Sequence, residues 1–260
     1  MTDLHLVSWN RPKMTELVIK TIHRNTIPGT FRLTVLDNGS DQETQQMLIN
    51  MEKAGLIHSL VIMDQNLGLE RARQLLLTDY ATEKYFVCVD NDCLPPIDWL
   101  PNMLNLMDYY EEYSAISQRT QVMIGTGNIF EEADKDNRQL VDFAHPGGSF
   151  RIMDTAVVKH TGGWDRGAAG RGSEERYICG KLRDEGYKTA FAAKIQCLHL
   201  FGTRDENETD RWGYDKDLKP EDTGHSDIWH PALANGDDRN EIEKYSGKEL
   251  TDAYFNNKED

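Results

Sequence analysis

Two carboxylates flanking an amide, Asp90-Asn91-Asp92, close a five-residue apolar run, Tyr85 to Val89, that reads as a buried strand. Buried strands seldom finish on two acids. In an open α/β sheet the carboxyl ends of parallel strands face the crevice where ligands bind. Acids one residue apart at that edge form an oxygen-rich site for a hard divalent cation, Mn²⁺ or Mg²⁺, which prefers carboxylate and phosphate ligands. The cargo that fits is a metal–diphosphate. Taken alone, the same residues serve equally as an acidic loop capping the next helix.

Other constellations point to the same edge. A second strand ends in Asp37-Asn38-Gly39-Ser40, where Asp37 can accept from a base N–H or a ribose hydroxyl, or simply close an Asx turn. Asn66-Leu67-Gly68-Leu69-Glu70-Arg71-Ala72-Arg73 brings two arginines to the start of a helix, where the dipole and a guanidinium suit phosphate. Arg71 and Arg73 cannot share a helix face, so at most one is expected at the ligand and the other in solvent. A plain surface pair is the ordinary alternative. Glu174-Glu175 opens a helix after the Gly-rich stretch 162–172; the macrodipole favours acids there without any function, and the chemical alternative gives one of them general-base work on a hydroxyl. His199 ends the apolar stretch 190–198, where a neutral imidazole either completes the shell of a metal held by Asp92 or sits as a hydrogen-bonded core residue.

The elements that position these residues follow from periodicity. Extended segments are expected at Leu4–Trp9, Phe31–Leu36, Leu56–Met63 and Tyr85–Val89. The helices between them carry Met14, Leu17, Val18, Thr21 and Ile22, then Met47, Leu48 and Met51 behind a Ser40/Glu43 capping box, then Leu69–Tyr80. This βαβαβαβ run predicts an α/β fold: a right-handed, mostly parallel, Rossmann-like sheet with helices on both faces. Beyond Pro95-Pro96 the pattern predicts a helix over Asn102–Tyr113, an extended segment Gln121–Phe130, a polar loop Glu131–Arg138, a helix Glu174–Glu185 and a strand Thr189–Ile195. Residues 1–202 are expected to form one domain, with a nucleotide-binding half (1–100) and an acceptor or catalytic half (101–202). Residues 203–260 are expected to be an irregular polar extension or lid, with Trp212, Tyr214 and Trp229 set among charges.

Forty-four acidic residues against 29 basic ones give a net charge of -15, which opposes non-specific adhesion to polyanions such as nucleic acid or anionic lipid. No apolar run approaches the ~20 residues of a membrane helix, and no basic-then-apolar leader opens the sequence, so a soluble cytoplasmic protein is expected. Cys88, Cys93, Cys179 and Cys197 are scattered and apolar in setting, which favours thiols over a disulfide framework. Cys88 and Cys93 bracket the acidic motif, but nearby sequence offers no further ligands for a thiolate metal site.

In this order and spacing, the segments resemble family-two-type glycosyltransferases of GT-A fold over about residues 4–203. Val7-Ser8-Trp9-Asn10-Arg11-Pro12 is similar to the family's opening strand and nucleotide-binding turn. Asp37-Asn38-Gly39-Ser40 is similar to its Asp-Asp-Gly-Ser turn, and Asn66 through Arg73 to its Asn-x-Gly-x-x-x-Ala-Arg element. The resemblance implies nucleotide contacts from Ser8, Asn10, Arg11, Asp37, Asn66, Gly68, Arg73, Asp90 and Asn91, with Asp90 on the ribose. It makes Asp92 and His199 the ligands of Mn²⁺ or Mg²⁺. Gly162-Gly163-Trp164-Asp165 and Glu174-Glu175 are similar to the Gly-Gly-Phe-Asp segment and the Glu-Asp pair, which puts Glu175, with Glu174 beside it, at the catalytic base of inverting members. The sequence departs from the pattern in carrying Glu175 for the usual aspartate and Tyr177 at a later acidic position. The implied chemistry is transfer of a sugar from a nucleoside-diphosphate sugar to a hydroxyl acceptor. A nucleotidyltransferase, a non-catalytic nucleotide-sugar module and an enzyme that glycosylates nucleic acid are the rivals.

Overall fold

The computed structural model describes residues 1–120, 129–147, 149–165 and 174–200. The chain runs β1 (Thr2–Ser8), α1 (Pro12–Asn25), β2 (Phe31–Asp37), α2 (Gln42–Lys53), β3 (Ser59–Ile62), α3 (Leu69–Tyr80), β4 (Tyr85–Val89) and β5 (Cys93–Leu94). It continues through α4 (Trp99–Tyr109), β6 (Tyr113–Thr120), α5 (Ile129–Lys135), β7 (Leu140–Asp142), β8 (Arg151–Asp154), α6 (Thr155–His160), α7 (Glu174–Asp184) and β9 (Lys188–His199). The strand order is β3-β2-β1-β4-β8-β6-β9-β5, with β7 on β9. Strands β3, β2, β1 and β4 are parallel, β8 enters antiparallel between β4 and β6, and β6 and β9 are again parallel.

Alternation along β4 shows how the sheet buries both faces. Tyr85, Val87 and Val89 enter the core beneath α1, α2 and α4, while Phe86 and Cys88 enter the core beneath α3, α6 and α7. A strand covered on both sides reads as a continuous apolar run, which is the form of Tyr85–Val89. Because β1, β2 and β4 are parallel and in register, Ser8, Asp37 and the residues after Val89 emerge along one edge.

The second half differs from expectation in several places. The helix expected over Asn102–Tyr113 begins at Trp99 and ends at Tyr109. Pro101 falls in its first turn, where no intrahelical N–H is required, and Trp99 is wholly buried against Phe150 with its Nε1 donating to Thr26 Oγ1 at 2.8 Å. Tyr113 instead opens β6, a central strand whose buried Ser114, Ser117 and Gln118 hide the apolar alternation. Residues 121–128 of the expected extended segment lie outside the described residues, and Ile129 and Phe130 open α5. The expected loop Glu131–Arg138 is mostly that helix: Ala133 packs on Val141 and Ala193, and Glu131 and Glu132 favour its first turn. Asp41 rather than Ser40 caps α2, accepting from Thr44 N at 2.9 Å, because the Ser40 hydroxyl accepts from Asn10 N at 2.8 Å. β3 is shorter and β9 longer than expected, and β7, β8 and α6 were not anticipated. The residues expected to form the extension lie outside the described set, as do 166–172 of the Gly-rich stretch. All four cysteines are buried and unbridged. No helix among the described residues is long and apolar enough to cross a membrane.

Candidate active site

At the carboxyl edge, the turns after β2 and β3 lock onto each other. Asn38 N donates to Ser8 O at 2.7 Å, the Asn38 amide donates to Asn66 Oδ1 at 3.0 Å, and Asn38 Oδ1 accepts from Leu67 N at 2.9 Å. Asn66 Oδ1 also accepts from Gly68 N at 2.8 Å. Gly39 must be glycine: its φ is +75°, and a Cβ would come within 2.4 Å of the Gln65 backbone. The turn after β1 joins this unit through Asn10, whose Oδ1 accepts from Asp41 N at 3.0 Å.

The turn after β4 is held by charge. Arg73, buried on α3, donates through Nη2 to Asp90 Oδ1 at 2.8 Å and pairs through Nη1 with Glu174. Glu174 is buried too; Arg151 Nη2 reaches both its oxygens at 3.0 Å, and Trp164 Nε1 donates to Oε2 at 2.7 Å. Arg11 Nη1 donates to Asp92 Oδ2 at 3.1 Å. The other oxygen of Asp92, Oδ1, lies 3.7 Å from His199 Nε2 and 3.7 Å from Cys93 Sγ. Asn91 Nδ2 donates to Thr15 Oγ1 at 3.1 Å, and that hydroxyl lies 3.4 Å from Ser8 Oγ. Burial pushes the Asp90 carboxyl above its ordinary range; Arg73 opposes this, and the charges of Asp92 and Glu175 add to it. The Asp90 side chain keeps 30% of its surface exposed, so water moderates the effect.

Between the two turns lies a cavity of about 410 Å³. Of the residues expected from the sequence, Arg11, Asn66, Gly68, Asp90, Asn91, Asp92, Glu175 and His199 line it. The others stand behind the wall. Ser8 and Asn10 brace the turns, Arg73 and Glu174 form the buried ion pair, and Arg71 is exposed. Asp37 is wholly buried: its Oδ2 accepts from Ser40 N at 3.1 Å and Gln45 Nε2 at 3.2 Å, and its Oδ1 has no hydrogen-bond partner among the described residues. Sequence reasoning did not single out Trp9 and Asn38, which line the cavity, nor Arg151. Each had a signal: Trp9 and Asn38 sit inside the two opening turns, and a lone arginine within the apolar run Phe150–Met153 implies a buried counter-charge.

The family model for glycosyl transferase family 2 matches residues 4–162, more than half of the chain. The chain belongs to this family. Its fold is similar to GalNAc-T7 with UDP, GalNAc and Mn²⁺ (12% identity, TM-score 0.61, covering 77% of this chain and 44% of that one). It is also similar to the mannosyltransferase PcManGT from Pyrobaculum calidifontis with GDP-Man and Mn²⁺ (16%, 0.59, 76% and 56%) and to S. aureus TarS 1-349 (14%, 0.58, 76% and 60%). These likenesses establish the GT-A fold; the chain spans only 44% to 60% of those chains. No curated protein sequence matches it.

Proposed function

We propose that this family-two chain transfers a sugar from a nucleoside-diphosphate sugar to an acceptor hydroxyl, with Glu175 as general base and inversion at the anomeric carbon. The observation that carries this reading is the convergence of Asp90, Asp92, Glu175 and His199 on one cavity at the carboxyl edge of the sheet. Trp9 and Asn66, which also line the cavity, offer a flat apolar surface and an amide suited to a base and ribose. Asp90, anchored by Arg73, is aimed to accept from ribose hydroxyls.

The donor set fits a divalent cation. Asp92 Oδ1 and His199 Nε2 at 3.7 Å are too far apart to hydrogen-bond, and their spacing suits two ligands of one ion. Asp92 and His199 would hold Mn²⁺ or Mg²⁺, which offsets negative charge gathering on the departing diphosphate. Mn²⁺ with UDP or GDP-Man in two structures of similar fold supports the same cargo. Arg11 orients Asp92 and adds positive charge at the phosphate end of the cavity. Glu175 takes the proton of the attacking hydroxyl, and a base on the side away from the diphosphate gives attack from the opposite face.

A panel of nucleoside-diphosphate sugars with Mn²⁺, assayed for release of nucleoside diphosphate, tests the proposal. One donor should turn over, and Glu175→Gln should slow transfer by about 10²–10⁴-fold while donor still binds. Full transfer by Glu175→Gln would remove it as the base. A natively folded protein that turns over no donor would defeat the whole reading.

A further inference from the structure

The thiol beside the acidic motif belongs to the buried core and also faces two polar side chains. Cys93, the first residue of β5, pairs across the sheet with His199 on β9, which brings Cys93 Sγ, a carboxylate oxygen of Asp92 and an imidazole nitrogen of His199 within 4.8 Å of one another. Asp92 Oδ1 lies 3.7 Å from both Cys93 Sγ and His199 Nε2. Ligands bonded at about 2.0–2.3 Å to one tetrahedral ion stand roughly 3.3–3.6 Å apart, so small side-chain rotations close these three around a common centre. Asp92 Oδ2 is occupied by Arg11, which turns Oδ1 toward the sulfur and the imidazole. The Ser149 hydroxyl, itself buried, lies 3.2 Å from Sγ and is placed to donate to a thiolate.

We infer that Cys93 is a third protein ligand of the centre, making it a mixed oxygen, nitrogen and sulfur site that takes Zn²⁺ or Co²⁺ in preference to Mg²⁺. Soft thiolate and imidazole favour such borderline ions, whereas Mg²⁺ demands oxygen ligands in octahedral geometry. Coordination transfers the thiol proton to solvent and forms the metal–sulfur bond, a linkage usual for cysteine ligands. Three protein ligands would leave a fourth position for another ligand, as in catalytic zinc sites, and two of the three, Asp92 and His199, line the cavity. The inference rests on the proposed role of Asp92 and His199 as metal ligands and adds the sulfur and the ion preference.

Titration of the metal-free protein with Co²⁺, followed by ultraviolet–visible absorption, separates the two claims. One equivalent should produce a thiolate-to-cobalt charge-transfer band that Zn²⁺ abolishes and a large excess of Mg²⁺ does not. Cys93→Ser should remove the band and weaken Zn²⁺ binding by at least about tenfold, no less than the loss of a residue that only orients a ligand. Cys93→Ala gives the same readout should serine disturb the buried site, and Cys179→Ser and Cys197→Ser should keep the band. Co²⁺ bound without the band, but lost in Asp92→Asn, would overturn the thiolate and leave the two-ligand reading standing. A band that survives Cys93→Ser, or that disappears in Cys197→Ser alone, would also overturn it. Absent Co²⁺ binding, or binding unaffected by Asp92→Asn and His199→Ala, would overturn both.

Discussion

The turn after β2 is closed by a glycine and by amides shared with the turns after β1 and β3, whereas the turn after β4 is held by two arginines from α3 and the turn after β1. Around Asn38 the bonds run between amides of the β1–α3 stretch, and the turn's one carboxylate, Asp37, faces inward onto Ser40 N and Gln45 Nε2. Asp90 is held by Arg73 and Asp92 by Arg11, 81 residues away in sequence, while Glu174 and Arg151 complete the buried pairing behind Arg73. The first arrangement is a rigid rest for a ligand that carries no charge at that end. The second is a balance of buried charges, and a balance fails when one member is removed. The proposed metal–diphosphate fits the second turn, where Arg11 holds one oxygen of Asp92 and the other lies 3.7 Å from His199 Nε2.

Breaking that balance should have the largest effect. Glu174→Gln leaves Arg151 buried without its counter-ion and releases Arg73 from one partner, so unfolding in urea should show a loss of about 3–5 kcal/mol. A loss under about 1 kcal/mol would mean that the ion pairs merely fill space. A neighbouring test strikes both turns together, through the strand they share. Burial pushes His5 on β1 down to about 4, with Asp3 opposing. The folded protein thus keeps His5 neutral, and the unfolded chain takes up the proton first as pH falls. Stability should be full above about pH 6.5 and decline by up to about 3 kcal/mol toward pH 4, a slope that His5→Phe should flatten. An unchanged slope in the variant would assign the acid sensitivity elsewhere. The smallest effect should come from the amide turn. Gly39→Ala imposes a positive φ and meets the Gln65 backbone, costing about 1–3 kcal/mol by thermal melting while leaving metal binding intact. Loss of metal binding in that variant would show that the two turns are not separate devices.

The same contrast explains what could be read from residues alone. Strand β4 announces itself because burial on both faces demands a continuous apolar run, and its acidic end stands out against that run; β1 and β2 are legible through Leu4, Leu6, Leu33 and Val35 despite the polar residues between them. The amide turn is assembled from the β1, β2 and β3 turns, and its glycine and asparagines carry its geometry in their own types. The charged turn is not local: nothing in Arg73 or Arg151 taken singly says that both meet Glu174, and nothing in Glu174-Glu175 says which acid is buried. The same long-range logic hid β6, where the polar Ser114, Ser117 and Gln118 are covered by neighbours on both sides, and moved Asp37 behind the wall it was expected to line.

Calorimetric titration of nucleoside diphosphate, with and without Mn²⁺, into the unaltered protein and into Asp92→Asn tests the central claim most directly. Binding to the unaltered protein should require the metal, and Asp92→Asn should retain the fold and lose the metal-dependent part. Equal diphosphate affinity with and without Mn²⁺ would contradict a metal–diphosphate site at the end of β4.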